Sequence, residues 1–333
     1  MKKIDLSKDI YYLKEYASLY LAEGQKLFEF DYRDGSDRFY NLTVKRPICH
    51  IGNYVVDDGY YDLETAYGYG GYYSTTEDQL FLDKALSAFH QQCMDEQIIA
   101  EFIRYHPYNT FSSVNNKCLD FIALDRRTVS IDLSISKEQR WSGYSGTTRN
   151  ILRKAAPQLA FHETEDIDGF MRLYQSTMEN NNASSFYYFT KEYYERLLAI
   201  NNVKLFAVTH DNHTITMSFV LFGNNLAHYH LSGNDKSFSK LNGNYFLLDS
   251  VCDFININYP EISQFHLGGG RSNLDSDSLL AFKSKFSNIR NDFYIGGKVF
   301  NQDVYQSYIQ KFNALYPALK NTRFFLKYRM EVQ

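Results

Sequence analysis

Between residues 159 and 299 the apolar pattern changes period in an order that leaves few folds open. "LAFHETE" (159–165) reads as a short strand. "DIDGFMRLYQSTMEN" (166–180) then sets Ile167, Phe170, Met171 and Tyr174 at helical spacing, and Thr190 stands as N-cap of a second helix in "FTKEYYERLLAI". Three strand-like runs follow, "VKLFAVTH", "HTITMSFVLFG" and "LAHYHLSG", joined by "DN" and "GNN" turn signals that make them antiparallel neighbours. "NGNYFLLDSVCDFININYP" reads as a helix stopped by Pro260, "EISQFHLGGG" as a strand, "SDSLLAFKSKFS" as a short helix and "RNDFYIGGKVF" as a closing strand. That order predicts an α/β fold on a mixed (α+β) sheet.

The first half repeats the order more faintly. "KLFEFDY" and "RFYNLTVKRPI" read as a strand pair, "TTEDQLFLDKALSAFHQQCMDE" as a helix, "QIIAEFIRYHP" as a strand and "CLDFIALDRRTVSIDL" as two more. "SKEQRWSGYSGTTRNILRKAAP" reads as one polar helix leading to Pro157, so the expected domains are 1–156 and 157–333. A chain of 333 residues suits two cores of about 150 residues each.

Hydrophobic residues make up 44% of the chain and mean hydropathy is −0.43, a globular balance. The longest apolar runs, such as "FIAL" and "FVLF", fall far short of the roughly 20 residues a membrane-spanning helix needs. "MKKIDLSKDIYYLKEYASLY" lacks an apolar stretch and carries acids early, unlike a signal peptide. Cys49, Cys93, Cys118 and Cys252 are scattered without CxxC spacing, which argues for free thiols in a cytoplasmic protein and against a zinc or disulfide framework. The net charge of −4 gives no global footprint for nucleic acid. In the tail "LKNTRFFLKYRMEVQ", Lys320, Arg323, Lys327 and Arg329 alternate with aromatics. Such a tail fits an edge strand with charged outward residues, or contact with the inner face of a membrane. Twenty-nine tyrosines suit a wet, polar ligand cleft.

The triplet Gly268, Gly269 and Gly270 ends a strand, where a phosphate loop often sits, yet neither nucleotide-loop fingerprint continues from it. What remains is a tight turn or a close backbone approach. On the "LAHYHLSG" strand His228 and His230 point to one face. No Cys, third His or closely spaced acid completes a metal site there, so no metal is expected and a general base is the functional alternative to a core histidine.

Several stretches in fixed order carry a family resemblance: "AYGYGG" (66–71), "FIRYHPY" (102–108), "VSIDLS" (129–134) with "RNILRKA" (149–155), "TMENNNASSFYYF" (177–189), and "HYHLSG" (228–233) with "FHLGGG" and "LLAFKSKFS". Across residues 26 to 310 the chain resembles the FemABX-like branch of the GNAT (acyl-CoA N-acyltransferase) superfamily, in which two GNAT-like domains sit in tandem. The resemblance implies transfer of an acyl group to an amine. The donor is acetyl-CoA or another acyl-CoA, with aminoacyl-tRNA as the alternative. The implied acceptor is a nucleotide- or lipid-linked amino sugar of the cell envelope, or a peptidoglycan precursor in the tRNA-using branch. A non-catalytic binding module on the same fold is the rival from another class.

The resemblance also distributes roles. It sets Lys283 in the active site, as an ammonium for the developing oxyanion, where the plain alternative is a surface lysine on an amphipathic helix. The family's Asp-Pro pair after "FIR" appears as His106-Pro107, which passes any acid/base role to His106. The pyrophosphate loop appears as "KLNGNY", giving Lys240, Asn242, Gly243 and Asn244 to the donor, with Tyr245 where a small residue is usual. Asn181, Asn182 and Tyr187 border the acceptor cleft, and Tyr67, Tyr69, Gly70 and Arg104 line it from the first domain. Gly268, Gly269 and Arg271 stand at the mouth of the splayed strands that grip the donor.

Overall fold

The computed structural model describes residues 6–111, 116–274 and 276–332. The chain folds into two compact units. The first comprises Tyr11–Asp125 and Phe293–Gln333, the second Met1–Ile10 and Arg126–Asp292. This differs from the expected 1–156 and 157–333. The chain leaves the first unit inside one strand (β8, Phe121–Asp132) and returns to it inside another (β14, Ile289–Val299). A crossing within a strand carries no proline, glycine or linker signal, so the helix end at Pro157 was a false boundary.

In the first unit β1 (Lys26–Asp34) and β2 (Asp37–Pro47) form the expected hairpin, in register from Lys26 opposite Lys45 to Asp34 opposite Asp37. Two short strands, β3 (His50–Ile51) and β4 (Tyr54–Val55), pair with each other, and β6 (Tyr73–Ser74) pairs with β2. β2 also pairs antiparallel with β5 (Tyr61–Glu64), β5 parallel with β7 (Ile98–Arg104), and β7 antiparallel with residues 295–299 of β14. The helix Gln79–Asp95 is capped by Asp78, whose side chain accepts from Leu80 N–H. It buries Phe81, Leu82, Ala85, Phe89 and Cys93, one face of a 3.6-residue repeat, against Phe28, Phe30 and Phe39. The helix Gln302–Leu315 buries Tyr305, Tyr308 and Phe312 over Ile99 and Ala100. The tail is no edge strand. Its last turn, Lys327–Arg329, is a 3-10 helix with Tyr328 and Leu326 buried and Arg329 paired to the buried Asp62.

The second unit has strand order β8–β13–β12–β11–β10–β9, with β9 Ala160–Thr164, β10 Val203–His210, β11 His213–Phe222, β12 Leu226–Asn234 and β13 Gln264–Gly269. The three antiparallel neighbours β10, β11 and β12 match the expected runs. The segment read as two strands before residue 133 is the single strand β8. Its polar middle, Asp125-Arg126-Arg127, imitates a turn, but the strand runs on to pair Thr128–Asp132 with β13. The expected single polar helix is two, Lys137–Gly143 and Gly146–Ala155. Ser145 caps the second by accepting from Thr148 N–H, which breaks the run.

One face of this sheet packs against the helix Gly243–Asn258, which buries Leu247, Leu248, Val251 and Ile255 over Phe206, Val220, Ala227 and Phe265. The other face carries Ile167–Asn180 and Lys191–Leu198, whose Phe170 and Tyr194 meet Phe219 at 4.7 and 6.1 Å between ring centres. Thr190 caps the second of these, accepting from Tyr193 N–H. β12 and β13 run parallel, and their pairing extends only from Leu226 opposite Gln264 to His228 opposite His266. Beyond that pair the two strands no longer share a ladder among the described residues, and the sheet opens into a V.

Candidate functional site

A cavity of about 300 Å³ lies in the second unit where the helix Gly243–Asn258 begins. Asn242, in the left-handed region at φ 57°, turns the chain into that helix. Its side chain donates to Lys240 O instead of capping, and the first backbone bonds run from Tyr245 and Phe246 N–H to Asn242 O. The N–H groups of Gly243 and Asn244 therefore precede the helix's own ladder, with its positive dipole end behind them. Asn242, Gly243, Asn244 and Tyr245 line the cavity with Thr216 and Phe282. Gly243 must be glycine, because a Cβ there would stand 2.3 Å from Thr216 Oγ1. Asn244 Oδ1 is buried without a hydrogen-bond partner among the described residues.

Three of the four expected donor residues thus line one cavity, and Lys240 does not. Lys240 is exposed on the preceding 3-10 turn, while Lys236 from the same turn lines the pocket. Tyr245, the bulky departure in the loop, forms a wall. Its hydroxyl accepts from Lys285 Nζ at 2.9 Å, and its ring meets Phe282 edge-on at 5.0 Å.

The glycine triplet belongs to a carboxylate-centred turn. Asp277 Oδ2 accepts from Arg271 N–H, Ser272 N–H and Ser272 Oγ–H, and Oδ1 accepts from Leu279 and Leu280 N–H, capping the helix Ser278–Lys283. Burial would raise this carboxyl, but the backbone donors outweigh it and hold it below its ordinary range. Gly268 sits at φ 74°. A Cβ on Gly269 would meet Arg127 O at 3.1 Å, and one on Gly270 would meet Asp277 Oδ1 at 2.5 Å. Each glycine therefore has its own local reason, and none of them requires a ligand.

Lys283 is no surface lysine. It is buried at 6% exposure and donates to Gly269 O at 2.7 Å. Burial pushes its ammonium down to about 7; Asp277 pulls it up and Arg126 pushes it further down. Arg126 itself donates to Gly270 O at 3.0 Å, so two cations bracket the end of the triplet. Arg271 donates to Asn181 Oδ1 and to Ser278 Oγ, tying the turn to a residue that lines the cavity. Asn182 is left-handed at φ 48°, and Tyr187 is exposed beside Phe186.

His228 and His230 share a face, as expected, but the absence of a nearby third histidine or acid does not hold. His228 Nε2 lies 2.8 Å from Asp9 Oδ2, and its Nδ1 lies 3.2 Å from His266 Nδ1. Nothing local announced Asp9, which is 219 residues away in sequence. His230 is held neutral. Burial, reinforced by neighbouring His228, pushes it down to about 3, far from the near-neutral value a general base was expected to bring.

Within the first unit, His106 is buried among Tyr11, Tyr12, Tyr69 and Tyr108, and its Nδ1 accepts from Tyr108 N–H at 3.2 Å. Gly70 O accepts from Tyr12 O–H and His106 N–H, and Tyr67 O accepts from Tyr16 O–H. Arg104 is engaged by its neighbours, donating to Glu64 and to Thr65 O. Tyr11, Tyr12 and Tyr108 were not singled out in the sequence, although Tyr12, Tyr16 and Tyr20 do recur at helical spacing.

Residues 149–275 match the family model described as an acetyltransferase (GNAT) domain. The matched span includes the start of the helix Gly243–Asn258, both arms of the V and the glycine triplet. No curated protein matches the chain. Among solved structures, FemX is similar at TM-score 0.72 and 11% identity over 92% of this chain and 95% of that one. The C-terminal domain (DUF2156) of a putative lysylphosphatidylglycerol synthetase from Agrobacterium fabrum is similar at TM-score 0.56 and 14% identity, covering 93% of each chain. At these identities the likeness is one of fold. No helix among the described residues is long and apolar enough to cross a membrane.

Proposed function

We propose that this chain, a GNAT domain carried on the fold of FemX, is an N-acyltransferase that takes its acyl group from acyl-CoA and gives it to the amine of a nucleotide- or lipid-linked amino sugar in envelope polysaccharide synthesis. The observation that carries the reading is the cavity at the start of the helix Gly243–Asn258. A helix N-terminus with two outward N–H groups and no side-chain cap is the chemistry a pyrophosphate needs. A volume of about 300 Å³ accommodates a small polar ligand and one arm of a larger one. The walls bring Lys236 as an exposed counter-charge and the Asn181–Arg271 pair as a link to the glycine turn.

In this reading the residues divide the work. Gly243 and Asn244 N–H hold the donor's phosphates. The V beyond His228 and His266 leaves backbone donors and acceptors that grip the acyl arm. Lys283, poised between ammonium and amine near neutrality, donates to the oxyanion when charged. The acceptor loses one N–H proton as the C–N bond forms, and the departing thiolate takes up one proton.

Aminoacyl-tRNA is the second reading, and Tyr245 favours it, since a bulky wall stands where the CoA-binding loop of the family has a small residue. The experiment is an acetyl-transfer assay with acetyl-CoA and UDP-linked amino sugars, run beside one with a charged tRNA pool. Thiol release that depends on the amino sugar supports the first reading. Transfer from charged tRNA alone replaces it with the second. Transfer from neither returns the chain to a binding module.

A further inference from the structure

Tyr245 carries a hydroxyl hydrogen that no acceptor among the described residues takes up. The residue lines the cavity, and its ring packs against Phe282, edge-on at 5.0 Å, and against the buried Phe286 at 5.6 Å. Its hydroxyl lies 2.9 Å from Lys285 Nζ. An ammonium has three donors and no acceptor, so the phenol oxygen accepts in that bond and its own hydrogen stays unused. Lys285 has no carboxylate within ion-pair reach among the described residues. Its backbone is fixed as well, since Lys285 O accepts from Ser145 N–H at 3.0 Å.

We infer, on the acyl-CoA reading above, that the Tyr245 hydroxyl donates to the ligand's diphosphate in this cavity and that Lys285 is its positioning residue. The hydrogen cannot turn toward the ammonium, so the bond to Lys285 aims it elsewhere, and the adjacent charge makes the O–H a stronger donor. The rest of the lining favours an anion too. Gly243 and Asn244 N–H precede the helix ladder with its positive dipole end behind them, and Lys236 joins them from the 3-10 turn. Asp235, the one acid lining the cavity among the described residues, is engaged by the turn itself. Its Oδ1 accepts from Ser237 N–H and Ser237 Oγ–H.

A small residue at this position lets phosphate lie against backbone alone. A phenol takes up that room and supplies a donor in exchange, so backbone N–H groups and a side-chain hydroxyl hold the phosphate together. The pair is also selective. An anionic ligand gains the hydrogen bond and an opposite charge near Lys285, whereas an uncharged head group leaves that ammonium without one. Tyr245 and Lys285 therefore set a preference for phosphate in the cavity, and the bulk of the ring is part of the site rather than an obstruction.

Calorimetric titration of acetyl-CoA and of inorganic pyrophosphate into wild type, Tyr245→Phe, Lys285→Met and the double variant tests this. Tyr245→Phe keeps the ring against Phe282 and Phe286, so the fold should hold while affinity for both probes falls about tenfold or more, as for one lost hydrogen bond to a charged group. Lys285→Met should weaken both probes in the wild-type background and much less in the Tyr245→Phe background, because it acts through the hydroxyl. An equal loss in the two backgrounds overturns the positioning role of Lys285. Wild-type affinity in Tyr245→Phe overturns the donor role of Tyr245. Binding of pyrophosphate without acetyl-CoA defeats the acyl-CoA reading alone, and the variants' affinity for pyrophosphate still decides Tyr245. A wild-type chain that binds neither probe overturns both.

Discussion

Lys283 Nζ donates to Gly269 O at 2.7 Å, so the amine that sequence could place only on a helix face is fixed to the strand end by one hydrogen bond. Burial lowers its pKa to about 7 from an ordinary 10.5, so the folded chain holds less proton here than the unfolded chain does between those values. Stability should therefore rise as pH climbs from about 7 toward 10.5. In Lys283→Met, Tm against pH should lose that rising component, and transfer should fall by about 100-fold or more, the cost of one lost oxyanion donor. A variant with wild-type turnover would remove Lys283 from the chemistry.

Glu101 predicts the opposite slope in the first unit. It is wholly buried, receives hydrogen bonds from Asn41 Nδ2 and Tyr72 O–H at 2.7 Å each, and is pushed up to about 7 by that burial in spite of both. A raised carboxyl favours the protonated form in the folded state. Its contribution is fully present below the unfolded value of 4.5 and is lost as pH rises through about 7. The effect is on the order of 3 kcal/mol. Chemical denaturation of Glu101→Gln at pH 5 and pH 8 should show a markedly smaller difference than wild type, and an equal difference would place the titration elsewhere.

Gly270→Ala should destabilise the second unit by roughly 1–3 kcal/mol, since its methyl meets Oδ1 of the Asp277 carboxylate, whose two oxygens together already hold five donors. The clash is with Asp277, so the penalty should shrink in an Asp277→Ala background. A denaturation double-mutant cycle reads this as coupling, and strict additivity would mean that another neighbour sets the glycine requirement.

Much of the second unit was legible because its elements are locally amphipathic. β10, β11 and β12 alternate and end on turn residues, and Thr190 announces its helix by capping chemistry. What escaped was whatever depends on distant partners. β8 looked broken at Asp125-Arg126-Arg127 because its arginines point to partners such as Gly270 O and Asp292 that no local pattern displays. Asp9 carried no signal, since its meaning lies in a histidine met only through the fold. The "KLNGNY" pattern pointed to Lys240, and only the 3-10 turn shows that Lys236 is the lysine lining the cavity.

The helix start offers the cleanest perturbation of donor binding. A carboxylate at position 244 complements the helix dipole, so Asn244→Asp should leave the fold intact or slightly firmer while repelling phosphate from the same N–H groups. Acetyl-CoA affinity should fall at least about tenfold, with Tm no lower than wild type.

Calorimetric titration of acetyl-CoA into the wild-type chain and into Asn244→Asp tests the central claim most directly. Saturable one-to-one binding by wild type, weakened in the variant, is the result predicted by an acyl-CoA donor seated on the helix Gly243–Asn258. Absence of binding by the wild-type chain, or equal binding by both, would contradict it.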